Sequence, residues 1–272
     1  MDLFRPIQSP SLLHVPDSKY SYKEHQPSQR LRTYTACYWT LDYHPGSQII
    51  PHRILPDGCL DIIFDLTAST PEKGAFVTGL MTQFEVVNFS SRQHFLGIRF
   101  FSTHAQRFIK YPPEELLGYP VSLENVWGKD ALSFFQEIQE AEGTEERINK
   151  IETKLMDMIN NTDIHSSSKL LEQSIQHIYS ANGMSSVQLL AKNLIQSERN
   201  LRRIFNQELG VSPKEFSRII RFQSLLKDLH DSRSADFMET ALKYGYYDQA
   251  HFNHDFKSFY GLVPSAVFPS KK

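Results

Sequence analysis

Residues 197–213, SERNLRRIFNQELGVSP, and residues 248–264, DQAHFNHDFKSFYGLVP, are two versions of one pattern. Leu201, Phe205, Gly210 and Pro213 recur as Phe252, Phe256, Gly261 and Pro264, each displaced by 51 residues. Ala191 and Ala241 match at a displacement of 50, so the second copy has a turn longer by one residue. Each copy predicts helix, tight turn, helix. In the first, Ser185 and Gln188 suggest a capping box opening a helix over Ser186–Leu194, and the turn is Ile195-Gln196-Ser197. Ser197 can cap Glu198–Leu209, and Gly210 can end it in the left-handed conformation. In the second, Asp248 can cap Gln249–Tyr260, which Gly261 ends. Leu201, Ile204, Phe205 and Leu209 form one apolar face, as do Phe252, Phe256 and Phe259. Between the copies, Ser212-Pro213-Lys214-Glu215 is a capping box with proline at the first helical position, opening a connecting helix over Pro213–Leu229.

Two helices joined by a short turn are the geometry of a DNA-reading helix-turn-helix. The second helix presents its first turns to base edges in the major groove. Arginine, asparagine, glutamine and histidine are the side chains that groove requires. The candidate DNA-binding residues are therefore Ser197, Arg199, Asn200, Arg202, Arg203 and Asn206 in the first copy, and Gln249, His251, Asn253, His254 and Lys257 in the second. A lone copy would read more naturally as an ordinary helical hairpin. Two copies at a fixed offset, each with base-reading types outward, favour DNA, at successive major-groove faces roughly 34 Å apart.

Upstream the texture differs. The segments Arg32–Leu41, Gln48–Leu55, Leu60–Leu66, Ala75–Leu80, Phe84–Phe89 and His94–Phe101 are rich in β-branched and aromatic residues, with turn residues between them. They predict an antiparallel sheet, sandwich or barrel. Helical patterns follow over Thr103–Lys110, Ala131–Ala141 and Thr144–Ile159. In the last, Ile148, Ile151, Leu155 and Met158 line one side, as a core face or a dimer contact. Asn160–Ser168 is polar and turn-rich. The expected organisation is α+β: a strand-rich domain with flanking helices over 1–160, a linker over 161–168, and an all-α domain of two helix-turn-helix units over 169–272.

Composition narrows the class. The 272 residues are 40% hydrophobic and 12% aromatic, enough for a packed core. Residues 169–272 hold 14 Lys+Arg against 10 Asp+Glu, whereas the chain as a whole has a net charge of −2. Basicity is thus local, as a polyanion-binding domain requires. No apolar run is long enough to cross a membrane and no secretory leader is visible, so a cytoplasmic location is expected. Cys37 and Cys59 are the only cysteines, too few for a disulfide framework. His44, His52, Cys59, Asp61 and His94 lack the tight spacing of metal ligands. Asp57 and Asp61 flank Cys59, but Asp57-Gly58 is better explained as a turn. No nucleophile elbow, phosphate loop or dinucleotide fingerprint occurs, so neither enzyme activity nor a cofactor is expected.

Ser197, Leu201, Arg203, Phe205, Gly210, Ser212, Pro213 and Arg221 resemble the first half of the AraC/XylS-type DNA-binding domain. Ala241, Gly245-Tyr246, Asp248-Gln249, Phe252, Phe256-Lys257, Gly261 and Pro264 resemble its second half. The resemblance covers about residues 170–268. It implies a seven-helix domain that binds promoter DNA and activates transcription through RNA polymerase. Ile195 stands where the first turn usually has glycine, Ala250 where the second recognition helix usually has serine, His254 where arginine is frequent, and Val263 where serine precedes the proline. The segments His52–Phe64, Leu96–Phe100 and Pro120–Gly128 resemble an uncharacterised N-terminal domain found on a subset of these regulators.

Such a strand-rich domain can hold a small-molecule effector. Trp39, Arg53, Phe64, Arg99 and Phe101 are the candidate effector residues, with Arg53 and Arg99 as anchors for an anionic one. Tyr38 and Trp39 should point to opposite faces of their strand. Two competing readings are a regulator without an effector, whose N-terminal domain dimerises or meets a protein, and an enzyme or binding protein with an accessory helical domain.

Overall fold

The computed structural model describes residues 4–8, 20–45, 51–161, 168–231 and 237–268. Residues 162–167 of the expected linker, and the start of the expected Gln48–Leu55 strand, lie outside these. The strands are β1 (Tyr20–His25), β2 (Thr35–Tyr43), β3 (Pro51–Ile54), β4 (Cys59–Asp65), β5 (Ala75–Thr78), β6 (Glu85–Asn88), β7 (Gln93–Phe101) and β8 (Val121–Ser122). Six of them form an antiparallel sheet in the order β1-β2-β7-β4-β5-β8. The other two, β3 and β6, pair as a separate ribbon.

A two-residue period sorts the sheet into two faces. Tyr38, Leu60, Ile62, Phe64, Leu96, Ile98 and Phe100 point to one face and join the main core. The helices α1 (Pro71–Gly74), α2 (Leu123–Trp127), α3 (Asp130–Glu140) and α4 (Gly143–Asn161) accompany this domain. Phe134, Phe135, Ile138, Ile151 and Leu155 of α3 and α4 are buried in that same core. The α4 stripe is therefore intramolecular at Ile151 and Leu155. The opposite sheet face carries Cys37, Trp39 and Leu41, which pack with Phe89 and Val87 from the ribbon side. Tyr38 and Trp39 do part to opposite faces.

The sheet is pinned where Trp39 crosses Gly97, its register partner on β7. A Cβ on Gly97 would lie 2.0 Å from the indole ring. Gly97→Ala must push Trp39 away from Asp61, to which its Nε1 donates a 2.8 Å hydrogen bond. We expect a loss of about 2–3 kcal/mol from this overpacking, measured by denaturant unfolding.

The C-terminal part consists of α5 (Lys169–Ser180), α6 (Val187–Asn193), α7 (Glu198–Leu209), α8 (Pro213–Asp231), α9 (Phe237–Lys243), α10 (Gln249–Tyr260) and α11 (Pro264–Val267). Capping follows the sequence closely. Ser197 Oγ accepts from Asn200 N and Asp248 Oδ1 from His251 N. Gly210 and Gly261 end their helices at φ +73° and +82°, values that cost a Cβ-bearing residue steric strain. Ser212 and Glu215 exchange bonds as a reciprocal capping box. Three expectations need correction. Ser186, not Ser185, caps α6, accepting from Leu189 N. The helix expected over Ala131–Ala141 begins at Asp130 and ends at Glu140, with no side-chain cap. Thr103–Lys110 forms only a short 3₁₀ turn at Ala105–Arg107. There the apolar residues Phe108 and Ile109 are adjacent and buried, so no helical stripe runs far enough to extend the turn.

Packing is continuous between the two parts. The backbone of Gly58 lies against Phe216 and Ile220 of α8. Gln223 of α8, only 2% exposed, bonds the backbone N–H and carbonyl of Ile7 and the carbonyl of Pro56. A buried amide with partners on two separate segments fixes their mutual register, because leaving any of these groups unpaired costs about 1–3 kcal/mol.

Candidate nucleic-acid interface and an adjoining cavity

The apolar faces of α7 and α10 turn inward, which leaves all their polar residues but Asp255 at least partly exposed. In α7, Leu201, Ile204, Phe205 and Leu209 are buried, while Arg199, Arg202, Arg203 and Asn206 are exposed. Those four positions step by three, one and three residues and form one stripe. In α10, Phe252, Phe256, Phe259 and Tyr260 are buried. Ala250, His254 and Lys257 are exposed and Asn253 is half-buried. This second stripe is the first one moved by 51 residues. Gln249 and His251 are exposed beside it, and Asn200 is half-buried beside the first. Ser197 serves as the cap described above.

The arginines of α7 hold one another's neighbours loosely. Arg202 Nη2 lies 3.0 Å from Glu198 Oε2, one turn back, and Arg203 donates to Gln207 Oε1 and Asn200 Oδ1. Exposed pairs of this kind contribute about 0–1 kcal/mol, so an approaching duplex can displace them at little cost.

The helix α10 is tied to α8 by a buried ionic cluster. Asp255 accepts from Arg218, from Arg221 at 3.1 Å and from the Tyr246 hydroxyl at 2.7 Å. Burial alone would raise the Asp255 pKa. The hydrogen bonds from Arg218 and Tyr246 and the charges of Arg218 and Arg221 outweigh that and hold it below the ordinary value. Arg221 also lies over the Tyr246 ring, 4.5 Å from its centroid. Neither Asp255 nor Tyr246 was singled out for this role in the sequence, where nothing local marks a carboxylate on the inner face of α10.

The two turns differ. Gly245 has φ +74° and Ile195, its counterpart, has φ +53° with 90% of its surface exposed. A left-handed β-branched residue costs about 1–2 kcal/mol. Ile195→Asn should therefore raise stability by about 1 kcal/mol, seen as a higher denaturation midpoint at unchanged slope.

A cavity of about 540 Å³ opens beside the ribbon and reaches the end of α7. Gly210, Val211 and Glu215 of the helical part line it together with residues of the sheet. Of the candidate effector residues, Trp39 and Arg99 line the cavity and Arg53, Phe64 and Phe101 do not. Phe64 belongs to the opposite sheet face and Phe101 is buried. Arg53 instead donates to the carbonyl of Tyr260 at 2.8 Å, with its guanidinium over the rings of Phe84 and Tyr260. It thus ties the ribbon to the end of α10.

Arg99 is enclosed. Its Nε and Nη2 meet Asp61 at 3.2 and 3.1 Å, and Nε also lies 3.0 Å from Asp57 Oδ2. Glu24 stands 3.8 Å from Nη1. Burial raises the Asp61 pKa to about 6 against the lowering influence of Arg99. Burial, helped by the charge of Arg99, lowers that of His52 to about 4. Cys37 and Cys59 are free and buried. Among the described residues no group of three or more His, Cys, Asp or Glu is arranged to hold a metal, and no helix is long and apolar enough to cross a membrane.

Comparison with known proteins yields two family models. Residues 190–269 match a helix-turn-helix domain, and residues 23–122 match a domain of unknown function, DUF6597. An uncharacterized HTH-type transcriptional regulator of Haemophilus influenzae is 38% identical over 79 residues. That stretch is 29% of this chain and only 26% of the relative, so the match spans about a quarter of the relative's length. Among solved structures, ToxT from Vibrio cholerae is similar at 11% identity with a TM-score of 0.43, covering 92% of this chain and 98% of that one. ToxT with a bound unsaturated fatty acid is similar at 13% identity and a TM-score of 0.42, covering 94% and 99%.

Proposed function

We propose that this chain, which carries an AraC/XylS-type helix-turn-helix domain behind a DUF6597 domain, is a sequence-specific regulator of transcription that reads two adjacent major-groove segments. One observation carries the reading. Two helices, each opened by a side-chain cap and with equivalent buried faces and exposed stripes, are held on one connecting helix. Equivalent stripes on a shared support are what successive grooves on one side of a duplex require. By the family resemblance its output is activation through RNA polymerase. The cavity supports control by a small effector, because its walls include both the sheet and the end of α7. An occupant there touches the strand-rich part and the Gly210–Glu215 junction that joins α7 to α8, so it can favour one arrangement of the two.

Selection of bound duplexes from a random pool by the full chain, followed by footprinting, tests the reading. The expected product is a bipartite site with centres about 10 base pairs apart and an affinity that falls steeply with salt. Binding without sequence preference, or protection of a single groove, would refute it.

A further inference from the structure

We infer that the cavity beside Arg99 takes an organic cation with an apolar body, not an anion. This rests on reading the cavity as the effector site and names the chemistry of its ligand. The cavity wall carries four carboxylates, Asp57, Asp61, Glu85 and Glu215, against one guanidinium, that of Arg99. That guanidinium is 4% exposed and already faces Asp57, Asp61 and Glu24. An incoming carboxylate or phosphate would have to take Arg99 from these partners and then sit among them. On this reading Arg99 holds the wall carboxylates in place, where the sequence suggested an anchor for an anion. Arg53 offers no substitute, since it bonds the Tyr260 carbonyl outside the cavity wall. His52 lines the wall but stays neutral at ordinary pH.

A cation meets the opposite situation. Asp57 Oδ1 accepts from the backbone N–H of Cys59, and Asp61 Oδ1 accepts from Arg99. A carboxylate oxygen has two acceptor sites, so both retain capacity for an ammonium or amidinium N–H. The aromatic walls of Tyr22 and Trp39 add π faces, to which cations are attracted within about 6 Å of the ring centre. Leu80 and Leu117 supply apolar wall for the rest of the molecule.

Three probes with one body and different heads separate the possibilities: 4-phenylbutylamine, 4-phenylbutanol and 4-phenylbutyrate. Each is titrated calorimetrically into the full chain at neutral pH, up to about 10 mM, where millimolar affinities still register. The amine should bind at least about tenfold more tightly than the alcohol, a step of one charge-assisted hydrogen bond, and the butyrate least. Glu85→Gln, at an exposed wall position, should weaken the amine about threefold and leave the alcohol unchanged. Asp61→Asn should weaken the amine more, provided circular dichroism shows the fold intact. Butyrate binding as tightly as the amine would overturn the cation assignment, as would no binding by any probe. The same samples are then mixed with the selected duplex. If the amine binds but leaves DNA affinity unchanged, the effector reading fails while the cation site stands. If the alcohol or butyrate alters DNA affinity more than the amine does, the effector reading stands and the cation assignment falls.

Discussion

Asp255→Ala is expected to lower the stability of the chain by about 3 kcal/mol. The side chain is 5% exposed and accepts from Arg218, Arg221 and Tyr246. Removing it leaves the Arg221 guanidinium, 19% exposed, with its counter-charge gone and the Tyr246 hydroxyl without its acceptor. Breaking a buried pair from one side costs more than the pair contributes, because the surviving charge remains desolvated. Asp255→Asn should fall between the two, since the amide oxygen can still accept one bond. The sign with pH follows from the lowered pKa. The contribution of Asp255 is complete above its unfolded value near 4 and is lost as the pH falls through the lower folded value. The difference between wild type and Asp255→Ala should therefore be constant at neutral pH and shrink only in strong acid. Thermal unfolding across that range checks it. A variant as stable as wild type would show that the phenylalanines of α10 hold the helix unaided. Because the cluster aligns α10 on α8, footprinting of Asp255→Ala should lose the second half-site before the first.

The helical part was legible because its signals are local. Ser197, Asp248, Gly210 and Gly261 each act within one turn of their own position, and the structure uses all four as caps. The buried faces of α7 and α10 also follow from spacing alone. The sheet was legible only as a set of strands. β1 and β8 escaped notice because Tyr20–His25 mixes charged residues with tyrosines and Val121–Ser122 has only two residues. The order β1-β2-β7-β4-β5-β8 depends on pairings far apart in the chain, which no window of sequence contains. The cavity illustrates the same limit. Asp57 looked like a turn residue, and it does cap the turn by accepting from Cys59 N. Its second oxygen meets Arg99 only because β4 and β7 are neighbours. Arg99 looked like a free anchor for the same reason: its three carboxylate partners come from β1, β4 and the turn before β4. Likewise Gln223 stands between Arg221 and Ser224 as one more polar residue of α8, and its partners are 216 and 167 positions away.

Arg202→Ala should relax base preference at one or two positions of the first half-site, lowering affinity for the preferred duplex by about 10- to 100-fold. Arg202 is exposed near the start of α7, and its partner Glu198 is an exposed neighbour that it can release cheaply. A bidentate arginine–guanine contact discriminates by about 1–3 kcal/mol, whereas a phosphate contact weakens every sequence alike. The comparison of selected and scrambled duplexes therefore decides the role: equal losses on both would assign Arg202 to the backbone. Arg199 stands three residues earlier on the same stripe and should behave similarly. Arg203, whose side chain bonds Asn200 and Gln207 along the helix, should affect all duplexes more evenly. On α10 the positions equivalent to Arg199, Arg202 and Arg203 are Ala250, Asn253 and His254. Alanine offers no hydrogen bond, Asn253 is half-buried, and none of the three carries a guanidinium. Substituting the first half-site should thus cost at least about 1 kcal/mol more than substituting the second. Equal sensitivity of the two halves in quantitative footprinting would show that Gln249, His251 and Lys257 compensate for the missing arginines.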